Sequence, residues 1–316
     1  MMLRRRLLAA AALLPLAIAA QYRADPATHD YRLAPRELAA GVWVIEGAVE
    51  DFSRTNGCNI INTGFIVTGS GVLVINTGPS RRYGEQQRAA IARVTPQPVV
   101  AVLNLNLHPD YFFGNEAYAD VPVYATADTI AGMQREVRAY GDNMYRLCGD
   151  WMKGTEARVA THALPAGPLK IGAREFELLR LSGHTASDLV LRDAASGVLF
   201  AGGLVFNNRA ATTPHADLSV WLASLDRLQQ VRYTWLVPSH GQLAKDGAAI
   251  EQTRAYLRWI DQSFERAARS GFDMAEVLAL QPPAALRSLA ALPAEYVRSV
   301  SHLYPRYEQR ALERAN

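Results

Sequence analysis

Cysteine is almost absent: Cys58 and Cys148 are the only two in 316 residues, and neither sits in a metal-ligand pattern, so neither is assigned to chemistry. Charge of one sign is scarce as well. The formal net charge is +3, and no Lys/Arg block follows the N-terminus, which excludes nucleic acid and anionic surfaces as partners. Beyond the N-terminal segment no apolar run reaches the roughly 20 residues a bilayer requires, which excludes stable membrane insertion of the mature chain. No G-x-S-x-G element occurs, so no motif supports a serine or cysteine nucleophile. What is present is ordinary globular composition, 49% hydrophobic and 20% charged, enough to bury one full core with an appendage.

The N-terminus carries an address. Arg4-Arg5-Arg6, a short apolar run and the pattern Ala17-Ile18-Ala19 form a secretory leader over residues 1–20, and the run is too short for a membrane anchor. The mature protein is therefore expected in a periplasm or outside the cell, by either the general or the twin-arginine export route. In such an oxidising space Cys58 and Cys148 form either a disulfide or two buried thiols; sequence separation alone does not decide between them.

From Gly41 onward the chain reads as short strands between Gly/Asn/Ser turns: Val42–Ile45, Asn59–Val67 and Val72–Ile75. Ser80 has the character of a helix N-cap, and Arg81 to Val94 carry helix formers broken only by Gly84. A buried strand over Pro98–Asn104 follows, then a strand at Val121–Tyr124 and a helix from Thr126 to Trp151 with Ala131, Val137 and Met144 as core candidates. The second half repeats this rhythm with strands at Phe176–Leu181, Leu189–Leu191, Val198–Ala201 and Trp235–Pro238, and a helix over Leu218–Val231. Two β-then-α halves predict an α/β fold in which two sheets pack face to face with helices outside, an αββα sandwich over residues 21–249. Residues 250–316 read as a helical C-terminal extension, with Ile250, Leu257, Ile260 and Phe264 at helical spacing and breaks at Pro282-Pro283 and Pro293. Such an extension covers the sandwich or, alternatively, forms a separate interaction module.

Leu103 to Asn115 has the frame of a metal-binding loop, H-x-H-x-D-H, in which Asn106 and Tyr111 stand at the first and last histidine positions while His108 and Asp110 remain. Four further segments, Ile75-Asn-Thr-Gly78, Ser182-Gly-His184, Phe200-Ala-Gly-Gly203 and Pro238-Ser-His240, lie at strand ends in a fixed order around it. Together the five resemble the metallo-β-lactamase superfamily over roughly Gly41 to Gly247, a resemblance that also implies the αββα sandwich. The phrases Asn62-Thr-Gly-Phe-Ile-Val67, Asn76-Thr-Gly-Pro-Ser-Arg-Arg-Tyr-Gly-Glu85, His108-Pro-Asp110 with Gly114-Asn115, and Thr212-Thr-Pro-His-Ala-Asp217 resemble one branch. That branch is the exported quinoprotein relay system zinc metallohydrolases. It implies association with a quinoprotein dehydrogenase.

The resemblance implies two zinc positions. The first would use Asn106, His108 and His184; the second, Asp110, Tyr111, Gly203 and His240. Four of these seven keep ligand side chains, namely His108, Asp110, His184 and His240, while Asn106, Tyr111 and Gly203 do not. Neither position then reaches the three protein ligands of a catalytic zinc. Asn76 replaces an aspartate that would orient the loop, and the phenol of Tyr111 binds metal only if its proton is drawn off far below its ordinary range. One zinc or iron ion drawing on all four remaining ligands is the constructive alternative to no metal at all. His215 is read as capping the helix that begins near Ala216, the alternative being a replacement ligand or substrate contact. His29, His162 and His302 are expected at the surface.

Two functions follow from these residues. One is an accessory or binding protein without dizinc hydrolysis, holding a small-molecule ligand among Asn76, Asn106, His108, Asp110, Tyr111, His184 and His240. The other is a single-metal hydrolase of an ester, thioester or lactone, with Asp110 as general base.

Overall fold

The computed structural model describes residues 24–164 and 168–315. The expected leader lies outside the described residues. Two sheets dominate. The first is built from β1 (Arg36–Ala39), β2 (Val42–Ile45), β3 (Thr63–Val67), β4 (Val72–Ile75), β5 (Val99–Leu103), β6 (Val123–Ala125) and β7 (His162–Ala163), side by side in that order. Pairing is antiparallel from β1 to β4 and parallel from β4 to β7. The change to parallel pairing requires crossovers, which α1 (Arg81–Val94) and α3 (Ala127–Cys148) supply, with the short α2 (Pro109–Phe112) between them. The second sheet begins with β8 (Leu169–Ile171), β9 (Arg174–Leu181), β10 (Asp188–Asp193) and β11 (Val198–Phe200). After β12 (Phe206–Asn207) and α4 (Leu218–Gln229), strand β13 (Trp235–Val237) completes it beside β11, and β14 (His240–Gly241) pairs with β12.

Alternation along these strands divides the apolar residues into three layers. Val44, Ile66, Ile75 and Leu103 from the first sheet meet Leu189, Leu191, Phe200 and Val237 from the second between the sheets. On the outer face of the first sheet, Phe65, Val74 and Val102 pack under Tyr83 and Ile91 of α1 and Met133 and Met144 of α3. On the outer face of the second, Val190, Leu199 and Leu236 pack under Trp221 and Leu225 of α4 and Leu257, Ile260 and Phe264 of α5 (Ala248–Arg269). The order helix, sheet, sheet, helix is the predicted sandwich. A charged strap joins its halves: Arg174 on β9 pairs with Asp193 at 2.8 Å and donates to the carbonyl of Val67 on β3 at 3.1 Å.

Several elements differ from the sequence expectation for local reasons. The strand expected from Asn59 begins at Thr63, because Cys58 takes a positive φ of 58° and the following residues turn to meet other loops. Ala131 is exposed, and Gly132 and Met133 take the buried positions on that turn of α3. Pro293 does not break a helix; it lies in the first turn of α7 (Leu292–Ala315), where a missing N–H costs nothing. His29 is half-buried against the edge of Trp151 rather than free at the surface, while His162 and His302 are exposed.

Cys58 and Cys148 form a disulfide, with Cα atoms 5.7 Å apart, that ties the loop before β3 to the C-terminal end of α3. The C-terminal helices α5, α6 (Met274–Leu278) and α7 share the core under the second sheet, with Val277, Tyr296, Val300 and Tyr304 buried there. Glu295 of α7 is fully buried and pairs with the equally buried Arg209 at 2.8 Å. Among the described residues no helix is long and apolar enough to cross a membrane.

Candidate functional site

The five motif segments converge where the strands of both sheets end. The loop leaving β5 is held by asparagines. Asn104 and Asn115 exchange hydrogen bonds at 3.1 and 2.8 Å, Thr77 adds one to Asn115 at 2.8 Å, and the Asn104 amide reaches the Tyr111 carbonyl at 3.1 Å. Asn76 takes a positive φ of 55°, a conformation asparagine tolerates, and its side-chain oxygen accepts the Leu105 N–H at 2.9 Å. The orienting role expected of an aspartate at this position is thus kept by an amide oxygen.

Asn106 points inward and is fully engaged. Its amide nitrogen donates to Asp188 at 2.6 Å and to the Thr185 hydroxyl at 3.2 Å, while its oxygen accepts the His108 N–H at 3.0 Å. Asp188, buried completely, also accepts the backbone N–H groups of His184 at 3.1 Å and Thr185 at 2.9 Å. His184 turns its Nδ1 to Asp188 at 3.3 Å, and its ring packs against Trp221 at 5.0 Å and Phe206 at 5.7 Å between centroids. This packing fills the space beside Gly203. A Cβ added there would come under 3.0 Å from the His184 ring, closer than real Cβ atoms approach.

His240 is fixed from one side. Its Nδ1 lies 3.0 Å from the Ile60 carbonyl, which can only accept, so Nδ1 carries the proton and neutral His240 presents a bare Nε2. Burial, with the nearby Arg209 charge, holds this imidazole well below its ordinary range. Facing it at 3.4 Å is Asp110, whose carboxyl burial pushes up to about 7. Tyr111 is also buried, and burial together with Asp110 raises its phenol well above the usual tyrosine range, opposite to the direction a phenolate ligand needs.

His215 joins the site and does not cap a helix. Asp217 caps α4, accepting from the N–H groups of Ser219 and Val220, whereas His215 Nδ1 lies 3.0 Å from Nε2 of His108. The His108 ring stands 4.7 Å from that of His184, and Tyr140 on α3 lies edge-on to both His108 and His215 at 6.3 and 6.4 Å. Burial, then the neighbouring imidazoles, hold His108 well below its ordinary range. Among the described residues the buried polar atoms of this centre without a hydrogen-bond partner include Asp110 Oδ2, which faces His240 Nε2 at 3.4 Å, Tyr111 OH, Tyr140 OH and His184 Nε2.

The loop carrying His215 is held from behind. Arg209 donates to the Glu50 carbonyl at 2.8 Å and pairs with Glu295 of α7; Thr212 also donates to Glu295 at 2.8 Å, and the Thr213 and Ser299 hydroxyls meet at 2.7 Å. Contacts thus join Asn106 to His184, His108 to His184 and His215, and Asp110 to His240, while Asn76 holds the Leu105 N–H; Asp188, Tyr140, Arg209 and Glu295 adjoin them. Asp188 had a signal in its position four residues after His184; the other three carry no local pattern.

A family model described as the metallo-beta-lactamase superfamily matches residues 56–240. Among solved structures the chain is similar to a metallo-beta-lactamase from Pontibacter korlensis, with 23% identity over 72% of this chain and 99% of that one and a TM-score of 0.56. Metallo-beta-lactamase IND-7 gives 21% identity over 72% and 98% with a TM-score of 0.58. A metallo-beta-lactamase from Hirschia baltica gives 17% over 71% and 97% with a TM-score of 0.57. At these identities the likeness is one of fold. None of the curated proteins compared with the chain matches it.

Proposed function

The chain belongs to the metallo-β-lactamase superfamily of hydrolase fold, and from that membership and its pocket we propose an exported binding or accessory protein that has exchanged dizinc hydrolysis for small-molecule binding. The superfamily usually holds zinc, and the residues here do not fit that centre. Both polar atoms of Asn106 are engaged by protein groups, the Tyr111 phenol is held protonated by burial, and the His184 ring occupies the space a side chain at Gly203 would need. Among the described residues no group of three or more His, Cys, Asp or Glu side chains is arranged to hold a metal ion.

The observation that carries the binding reading is the set of buried atoms without a hydrogen-bond partner around one centre, Tyr111 OH, Tyr140 OH, His184 Nε2 and Asp110 Oδ2, the last facing only His240 Nε2 at 3.4 Å. Leaving such atoms without partners costs on the order of 1–3 kcal/mol each, so a polar ligand that satisfies them recovers that energy on binding. His108 and His215 stand beside them with an aromatic edge from Tyr140, a mixed polar and apolar wall suited to an organic molecule. The disulfide supports export, since such bonds persist in oxidising compartments. The setting beside a quinoprotein dehydrogenase rests on the sequence phrases alone.

The test is native mass spectrometry of protein purified from its own compartment. An adduct that is retained by the parent and lost from His184→Ala and Tyr140→Phe supports the reading. A parent that carries no adduct and binds none from a native-compartment extract contradicts it.

A further inference from the structure

The groups that await a ligand are shut in. His184 is 1% exposed, Asp110 2% and His240 4%, so no organic molecule reaches them while their neighbours stay in place. Exposure rises along one file of rings. Phe206 lies 5.1 Å from the His240 ring and 5.7 Å from that of His184; His184 lies 4.7 Å from His108, and His108 lies 5.2 Å from His215, which is half-exposed. His215 and the equally half-exposed Tyr140, whose rings stand 6.4 Å apart, are therefore the outer end of the site. Further in, the wall is fixed. Asn106 makes three hydrogen bonds, His184 is backed by Asp188 and Trp221, and His240 is held by the Ile60 carbonyl. Among the described residues His215 has one side-chain hydrogen-bond partner, His108.

We infer that His215 is the gate of the site: its imidazole, latched to His108, closes the entrance, and turning it toward solvent opens a path past Tyr140 to His184 Nε2. The loop beneath the ring does not swing with it. Thr212 is bonded to Glu295, the Thr213 hydroxyl meets Ser299 at 2.7 Å, and the Ala216 carbonyl accepts from Arg306 at 3.3 Å, so the backbone is anchored to α7 on both flanks of residue 215. The movable part is the side chain, which steps between staggered rotamers. A half-exposed ring that turns outward exchanges its bond to His108 for bonds to water, and the net cost of such an exchange is small. The gate rests on the reading of this centre as a ligand site, and it is tested through access to an imidazole rather than through binding, so the two can fail separately.

Diethyl pyrocarbonate, which carbethoxylates unprotonated imidazole nitrogens, is the probe. Initial rates at each histidine of the purified chain are read by peptide mass mapping, with the exposed His162 as internal reference. In the parent His184 is expected to react far more slowly than His162. His215→Ala removes the gate and is expected to raise the His184 rate at least about fivefold, the factor that a hydrogen bond of typical strength represents. His215→Asn sets an amide where Nδ1 stands, renews the latch to His108 and is expected to restore slow reaction. Asp193→Asn lowers stability away from the site and keeps the gate, so its His184 should react as slowly as the parent's. An unchanged His184 rate in His215→Ala overturns the inference, as do equal rates in His215→Asn and His215→Ala. An equal acceleration in Asp193→Asn overturns it too, because access would then come from general loosening.

Discussion

His215 Nδ1 lies 3.0 Å from His108 Nε2, joining two residues 107 positions apart in sequence. One nitrogen must donate and the other accept, so each imidazole fixes the tautomer of the other. His215→Ala removes this bond and leaves a nitrogen of the nearly buried His108 without its partner. The expected loss is about 1 kcal/mol in urea unfolding, a typical net hydrogen-bond contribution. A parent-like unfolding midpoint would place His215 outside the site.

That pairing also marks the limit of what the sequence showed. The strand-end segments carry a strong local order, so the sandwich and the gathering of His108, Asp110, His184 and His240 were legible from them. His215 was legible only as the alternative to a helix cap, because no spacing rule ties residue 215 to residue 108; Asp217 takes the capping role by accepting two backbone N–H groups. Arg209 and Glu295 lie 86 residues apart and meet only because α7 folds back under the second sheet. Such long-range polar pairs leave no periodic trace.

The Arg209 and Glu295 pair has a stability consequence. Both side chains are 1% exposed, so Glu295→Ala leaves a buried guanidinium without its close partner. Removing one member of a buried pair costs roughly 3–5 kcal/mol. Because Thr212 also donates to Glu295, the loop carrying His215 loosens, and hydrogen exchange of the Ala211 to Ala216 amides is expected to quicken more than that of β4. Uniform exchange across both segments would show that Glu295 acts on global stability alone.

The disulfide between Cys58 and Cys148 spans 90 residues. Replacing both cysteines by serine is expected to lower stability by about 2–4 kcal/mol, as removal of long-loop disulfides does. Denaturant unfolding of the parent with and without reductant gives an independent measure. A midpoint insensitive to both changes would contradict the bond's stabilising role.

Part of the loss of stability in strong acid should come from Asp193. Burial raises its carboxyl, but hydrogen bonds from Arg174 and Ser196 outweigh burial and hold it below the usual aspartate range. A carboxylate with a lowered folded value contributes stability that is present above its unfolded value near 3.8 and lost as pH falls through the folded one. Asp193→Asn is therefore expected to destabilise the protein at neutral pH and to flatten the decline below pH about 4. An acid limb as steep as the parent's would assign that decline to other carboxylates.

The claim that the zinc centre has been replaced is tested most directly by metal stoichiometry. The parent, purified from its native compartment, and the triple variant Asn106→His, Tyr111→His, Gly203→Asp would be measured by inductively coupled plasma mass spectrometry. Because Asn106, Tyr111 and Gly203 are the positions that lack ligands, the parent is expected to hold well under one equivalent of zinc or iron. The triple variant should gain metal only as far as the His184 ring turns away from position 203. One full equivalent in the parent, lost on His108→Ala and on His184→Ala, would contradict the account.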